Sequence, residues 1–257
     1  MIDAQQGKQY AFVIRQLTAR ELKRKYARSY LGVIWSVLNP LLSMVVLSLI
    51  FSQLFRRSIE NYPIYYLTGN ILWQAFTVAT NSSMTSLVDN KMLLLKVKFP
   101  MELFILTRVY TALINLGYSL IAYIIMLFVF QVSPKWTMLF SPLIILFLFL
   151  FSLGISYMLA TAYVFFGDVK HLYTVLLTIW MYCSAIFYPV EQLQGIIRVV
   201  IWNNPLYTFI HCMRKVVMMG ALPERIEWFQ MLFWSLGVYA IGSLIFQKNR
   251  NRIMQKL

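Results

Sequence analysis

Apolar residues in this chain come in long runs bounded by clustered charge, rather than at alternate positions or along one stripe of a soluble helix. A helix crossing a bilayer needs roughly 20 predominantly apolar residues. Five stretches free of Asp, Glu, Lys and Arg reach that length: Ser29–Phe55, Asn61–Val88, Val109–Pro134, Trp136–Gly167 and Trp228–Gln247. A sixth, His171–Val190, sits at the lower limit. A seventh, Val199–Met213, is shorter and is broken by Asn203-Asn204-Pro205. Proline has no N–H to donate and disfavours helix at the residue before it. That segment reads as re-entrant, dipping into the membrane and returning, which is tolerated where protein covers the backbone. The pattern predicts an all-α integral membrane protein with six transmembrane helices and one re-entrant extracytoplasmic segment before the last span. As a single transmembrane domain over 1–257, it divides into an interface helix (1–28), spans one to five (29–190), the extracytoplasmic segment (191–227), the last span (228–247) and a tail (248–257).

Composition agrees. Of 257 residues, 60% are hydrophobic and 12% charged, against about 45–50% and about 25% in soluble domains. Intrinsic disorder, a disulfide scaffold and a cytosolic enzyme are excluded. An even number of spans puts both termini on one side. If that side is the cytoplasm, 16 of the 23 Lys and Arg residues fall in inner segments and 7 in outer ones, the bias expected for cytoplasmic termini. Topology and anionic lipid head groups account for the net charge of +14 without nucleic acid. The polar, basic first 28 residues and the long first apolar run argue against a cleavable signal peptide. Cys183 and Cys212 follow no disulfide or metal spacing and read as packing residues.

Two cytoplasmic pieces are patterned. Tyr10, Val13, Ile14, Leu17, Leu22 and Tyr26 recur at helical spacing among Arg15, Lys23 and Lys25, and Thr18-x-x-Glu21 matches a capping box. This basic amphipathic helix serves either as a membrane-surface anchor or as a docking surface. The loop Asp89–Glu102 reads DNKMLLLKVKFPME, in which Asp89 is placed to cap a short helix carrying Met92, Leu93, Leu94 and Leu95. Such a cluster either inserts into a partner's groove or tucks against the membrane.

Signals for chemistry are missing. No GxxxxGK[ST] loop occurs, His171 and His211 lie outside any metal-ligand spacing, and no carboxylate falls within a predicted span. No catalytic residue and no metal site are expected. The rival reading, an intramembrane enzyme acting on lipid-linked sugars, has only Asp168, Glu191 and His211 to draw on.

At this point the residues resemble a known family. LTARELKRKYARSYLGVIWSVLNPL (Leu17–Leu41), YPIYYLTGNILWQAF (Tyr62–Phe76), SLVDNKMLLLKVKFP (Ser86–Pro100), FFGDVKHLYTVL (Phe165–Leu176), SAIFYPVE (Ser184–Glu191) and NNPLYTFIHCMRKVVMMG (Asn203–Gly220) resemble, in that order, segments of ABC-2 type export permeases of lipid-linked polysaccharides or teichoic acids. The resemblance implies a non-enzymatic transport subunit in the bacterial cytoplasmic (inner) membrane. It implies a homodimer of this chain resting on two copies of a cytoplasmic nucleotide-binding ATPase, with no cofactor on this chain and ATP and Mg2+ on the partner. It implies that Glu21, Arg24, Lys25 and Tyr26, Asp89, Leu93, Leu94, Lys96 and Pro100, and Asp168 couple to that ATPase. The expected cargo is a lipid-linked glycan such as O-antigen or capsule. A teichoic-acid polymer is the alternative, and a small lipid or drug a more distant one. Two departures stand out: relatives often have Arg where Gly167 precedes Asp168, and Pro where Ala185 stands in the "SPI" triplet.

A sugar conduit needs aromatic faces interleaved with hydroxyl and amide groups. Tyr173, Trp180 and Phe187 recur every seven residues, Tyr62, Tyr66, Gly69, Trp73 and Thr80 form a second stripe, and Ser36, Asn39 and Ser43 a polar one. Trp73, Tyr66, Tyr173, Trp180, Phe187, Ser36, Asn39 and Ser43 are therefore candidate pathway residues, with interior packing and interfacial aromatic belts as the competing reading. Asn204, Pro205 and Arg214 are candidates for an outer gate. Ser152, Ser156 and Ala160 allow close helix approach, either to a second copy or within the chain.

Overall fold

The computed structural model describes residues 4–27, 32, 34–55, 59–96 and 99–257. They form helices α1 (Ala4–Tyr26), α2 (Ile34–Leu54), α3 (Tyr62–Met84), α4 (Ser86–Asp89), α5 (Lys91–Lys96), α6 (Glu102–Val129), α7 (Ser141–Phe165), α8 (Val169–Tyr182), α9 (Gly195–Trp202), α10 (Pro205–Arg214) and α11 (Arg225–Lys256). A 3-10 turn, Trp136–Phe140, leads into α7, and a π-helical turn, Lys215–Met219, extends α10. No strand occurs among the described residues.

Four helical segments are long and apolar enough to cross a membrane: Ile34–Gln53, Glu102–Val129, Trp136–Phe165 and Arg225–Lys256. The expected second and fifth spans are different. Helix α3 is long enough but carries Thr68, Asn70, Thr80 and Ser83, all buried by its own chain. It is the hub on which α2, α6, α7 and α10 pack, and a helix clothed in protein has no need of an apolar exterior. Its two buried threonine hydroxyls are satisfied locally: Thr68 Oγ1 donates to Ile64 O at 2.7 Å and Thr80 Oγ1 to Phe76 O at 2.9 Å. Helix α8 stops at Tyr182 after 14 residues, roughly 21 Å at 1.5 Å per residue. The expected helix to Val190 is replaced there by a turn, and Phe187 does not share a helix face with Tyr173 and Trp180. Helix α6 begins before Val109, and α11 runs through the segment expected to be a non-spanning tail.

Two capping expectations are corrected. Helix α1 passes through Thr18 without interruption, so Thr18-x-x-Glu21 caps nothing. Asp89 ends α4, and the backbone carbonyl of Asn90 takes the first amides of α5, from Leu93 and Leu94, both at 3.0 Å.

The small residues of α7 pack inside the chain. Ser152, Ser156 and Ala160 are buried without any second copy. Helices α7 and α11 approach so closely that a Cβ on Gly154 would lie 2.5 Å from Val238 O, and one on Gly242 would collide with Gly154 O. Gly154→Val is therefore expected to push the two helices apart and cost about 1–3 kcal/mol. The check is the thermal midpoint of the purified protein in detergent; an unchanged midpoint would show that the pair yields freely.

Candidate coupling network and polar clefts

Charge gathers at one end of the bundle. Glu21 on α1 meets Arg108 of α6 at 2.6 Å, and Arg108 Nη2 reaches Asp89 of α4 at 3.2 Å. Arg20 Nη2 donates to Asn90 Oδ1 at 2.6 Å and lies 3.4 Å from Glu21. One turn deeper, Tyr26 OH bonds Ser36 Oγ at 2.6 Å and donates to Asn115 Oδ1 at 2.8 Å, which also accepts from Lys25 Nζ at 3.1 Å. Three elements (α1, the α4–α5 elbow and α6) are thus tied by ion pairs and amides, with Arg108 bridging α1 and α4.

Among the other candidate coupling residues, Arg24, Lys96 and Asp168 are exposed and Pro100 is half-buried. The leucines of α5 divide. Leu94 is 5% exposed and belongs to the core, whereas Met92 and Leu95 are 68% and 56% exposed. Leu93 is half-buried and lines an open groove of about 770 Å³ with Phe12, Val13 and Leu17 of α1 and with Phe99 and Phe104. Outward-facing apolar surface therefore lies on Met92, Leu95 and Phe12 rather than on Leu94.

Beyond the network opens a cleft of about 220 Å³ between α1, α2, α3 and α6. Ser36, Asn39 and Ser43 face it, joined by Asn70 and Gln74 of α3 and Asn115 and Ser119 of α6. The predicted polar stripe thus meets amides from two other helices. Tyr66 bonds Ser43 at the edge of this cleft, and the other aromatic candidates sit elsewhere. Trp73, Tyr66 and Tyr173 are buried, with Tyr173 OH donating to Thr80 Oγ1 at 2.7 Å and Tyr66 stacked on Phe187. Trp73, Phe76, Phe151 and Trp180 form a chain of tilted, stacked and edge-on contacts. In the isolated chain these rings act as packing.

At the far end, Asn204 and Arg214 organise the turn after α8. Asn204 caps α10, its Oδ1 accepting from Leu206 N at 3.0 Å and from Trp180 Nε1 at 2.8 Å. Its Nδ2 donates to Cys183 O at 2.8 Å. Pro205 fills the first helical position, where its missing N–H costs nothing. Arg214 is 2% exposed. Its Nε donates to Tyr65 O at 3.2 Å, Nη1 to Ala185 O and Nη2 to Ile186 O, both at 3.0 Å, and the guanidinium lies 3.4 Å over the Tyr65 ring. Space for it comes from Gly69, where a Cβ would lie 2.8 Å from Nη2. Ala185 has φ +47°. Proline is locked near −65° and could not adopt this conformation, so the alanine that departs from the family's triplet suits the turn it occupies. Beside this cluster Lys215 bonds Glu227 at 2.8 Å. Burial pulls its pKa down, but the hydrogen bonds and charges of Glu227 and Glu224 more than offset that and leave it raised.

Sequence reasoning missed Arg108, Asn90, Asn115, Asn70 and Gln74. Arg108 was visible only as a charge bordering a span. The side-chain partners of Arg108, Asn90 and Asn115 lie 19 to 90 positions away, so no local spacing connects them.

A family model described as "ABC-2 type transporter" matches residues 13–218. The O-antigen export system permease protein RfbA of Myxococcus xanthus is 28% identical over 251 residues, 97% of this chain and 96% of that protein. RfbA of Klebsiella pneumoniae is 28% identical over 243 residues, 94% and 93% of the two chains. The polysialic acid transport protein KpsM of Escherichia coli is 21% identical over 247 residues, 94% and 95%.

Proposed function

This chain belongs to the ABC-2 type transporter family, and on that footing we propose that it is the permease subunit of an ATP-driven exporter that moves a lipid-linked cell-surface polysaccharide across the bacterial cytoplasmic membrane. The observation that carries the reading is the end-to-end likeness to O-antigen and polysialic acid permeases. Those names favour a sugar polymer over a teichoic acid or a small drug. The chain is a multi-pass membrane transport subunit.

The finer reading is as follows. Two copies of the chain rest on two ATPase subunits, which bind ATP and Mg2+. Both termini are cytoplasmic, as the charge bias favours. Helix α3, clothed in protein, and α8 with the turn that follows supply two further crossings, giving six. Helices α9 and α10, joined at Asn203–Asn204, form the re-entrant element. The ATPase docks on Met92, Leu95 and Phe12, whose exposed apolar surface supports an interaction site, and the Glu21–Arg108–Asp89 network relays its motion. The cleft of Ser36, Asn39 and Gln74 opens toward the conduit.

Deletion of this chain from its source strain is expected to abolish surface glycan and to leave lipid-linked polymer inside the cell; surface glycan at the parental level would overturn the export reading. Met92→Asp with Leu95→Asp is expected to lower ATPase co-purification about tenfold or more, the loss of an apolar contact set, without changing the chain's own elution profile. Leu94→Asp, aimed at the core, is expected to broaden that profile instead. Undiminished co-purification by the double variant would remove α5 from the docking surface.

A further inference from the structure

A second, larger cavity lies at the end of the molecule away from the coupling network. Helix α6 separates the two, with Arg108 in the network and Phe130 at the cavity, roughly 33 Å apart at 1.5 Å per residue. Its volume of about 800 Å³ lies within the range of small-molecule sites, about 300–1,000 Å³. Five segments build it: residues 59–65, 130–135, 189–191, 207–214 and 218–219.

The floor is held in place. Tyr65 donates its hydroxyl to Tyr188 O at 3.0 Å and lies under the Arg214 guanidinium. Tyr207 stacks on His211 at 5.4 Å, and His211 Nε2 lies 3.3 Å from Glu227. Lys135 is tied to Met218 O. The rim is different. Glu60 and Glu191 are exposed and form no ion pair among the described residues, and Gln131 beside them is exposed as well.

We infer that this cavity binds a short segment of neutral saccharide, as a site separate from the cleft beside the coupling network; the inference rests on the glycan-export reading. Three features select that ligand class. Along the described wall the carboxylates of Glu60 and Glu191 stand exposed at the rim, whereas the cations Lys135 and Arg214 are engaged by backbone carbonyls. The free carboxylates accept from hydroxyls, and hydrogen bonds to an ionised acceptor are the stronger kind. Gln131 supplies an exposed amide that both donates and accepts, while Asn61 beside it is engaged in capping α3 and in a bond to Phe130 O. Tyr65, half-buried with one ring face under Arg214, offers its remaining ring edge as apolar surface for sugar C–H groups, and because its surroundings already hold it, little side-chain freedom is lost on binding. A lipid tail is disfavoured by the polar wall, and an acidic sugar by the two rim carboxylates. Weak, reversible attachment here keeps an emerging chain from sliding back between strokes.

The test uses the full-length protein in lipid nanodiscs and saturation-transfer NMR. The probes are the repeat-unit oligosaccharide released by mild acid from the source strain's own surface polymer, and a tetramer of sialic acid. The released oligosaccharide is expected to bind with a dissociation constant below about 10 mM, and the sialic acid tetramer is not. Glu60→Ala and Glu191→Ala are each expected to weaken binding about tenfold, the loss of one charge-assisted hydrogen bond, with unchanged elution profiles. Absent binding by the wild type, preference for the acidic tetramer, or binding by both variants at the wild-type level would overturn the site. The deletion strain keeps the two readings apart: surface glycan lost on deletion together with no binding removes only the cavity's role, whereas surface glycan retained removes the export reading itself.

Discussion

Arg214→Met is expected to leave little folded protein in the membrane. The side chain is 2% exposed and satisfies three backbone carbonyls, those of Tyr65, Ala185 and Ile186. Two of these belong to the turn after α8, where no helical amide follows to take them. An unsatisfied buried polar group costs about 1–3 kcal/mol, and the loss of three at once, together with the Tyr65 contact, sums to roughly 3–5 kcal/mol when partial relaxation is allowed. That is a large part of a typical stability of about 5–15 kcal/mol. Arg214→Lys keeps the charge but not the planar fork, so it is expected to fall between the two. The measurement is the monodisperse fraction on size exclusion and the thermal midpoint in detergent. A Met variant with the parental midpoint would show that the turn closes without its clamp. Gly69→Ala offers an independent probe, since the new methyl meets Nη2; it is expected to lower the midpoint in the same direction by a smaller amount.

Breaking the Glu21–Arg108 pair is expected to abolish most export. Glu21 is 9% exposed and Arg108 15%, and removing one partner of a buried pair costs about 3–5 kcal/mol, because the other charge is left stranded. The Arg108–Asp89 arm is different: Asp89 is 43% exposed, so its contribution is about 1 kcal/mol or less. Glu21→Ala and Arg108→Ala are therefore each expected to cut export about tenfold or more, and Asp89→Ala much less, with a coupling of about 1 kcal/mol or more between the first two. The cycle is read as surface glycan per inserted chain. If the double variant loses the product of the single losses, Glu21 and Arg108 act independently and the relay through α1 fails.

Much of the local structure was legible in the sequence. Charge-free runs marked the four apolar spans, the Asn203-Asn204-Pro205 break fell between α9 and α10 as expected, and the step of three and four residues from Ser36 to Ser43 put those side chains on one cleft. These are consequences of helical period and backbone chemistry, which act within a few residues. The short α8 was not legible, because its sequence is apolar past Tyr182 and the signal for the turn is the carbonyl clamp of an arginine nearly thirty positions later. Nor was the division of Leu94 from Leu95: both fit a helix of one turn, and only the neighbours of α5 decide which is covered.

The sequence by itself determined the solvent and the class of secondary structure, a lipid-embedded all-helical chain with a basic flank, since hydrophobicity and hydrogen-bond satisfaction in a bilayer leave few other solutions. The tertiary structure alone decided which polar side chains meet. Whether Arg108 stands as a surface charge or as the tie between α1 and α4, and whether Arg214 faces water or closes a turn, depends on which helices lie side by side. Lipid favours helices but is nearly indifferent to how they pair, so that choice falls to close packing at Gly69, Gly154 and Gly242 and to hydrogen bonds between distant residues.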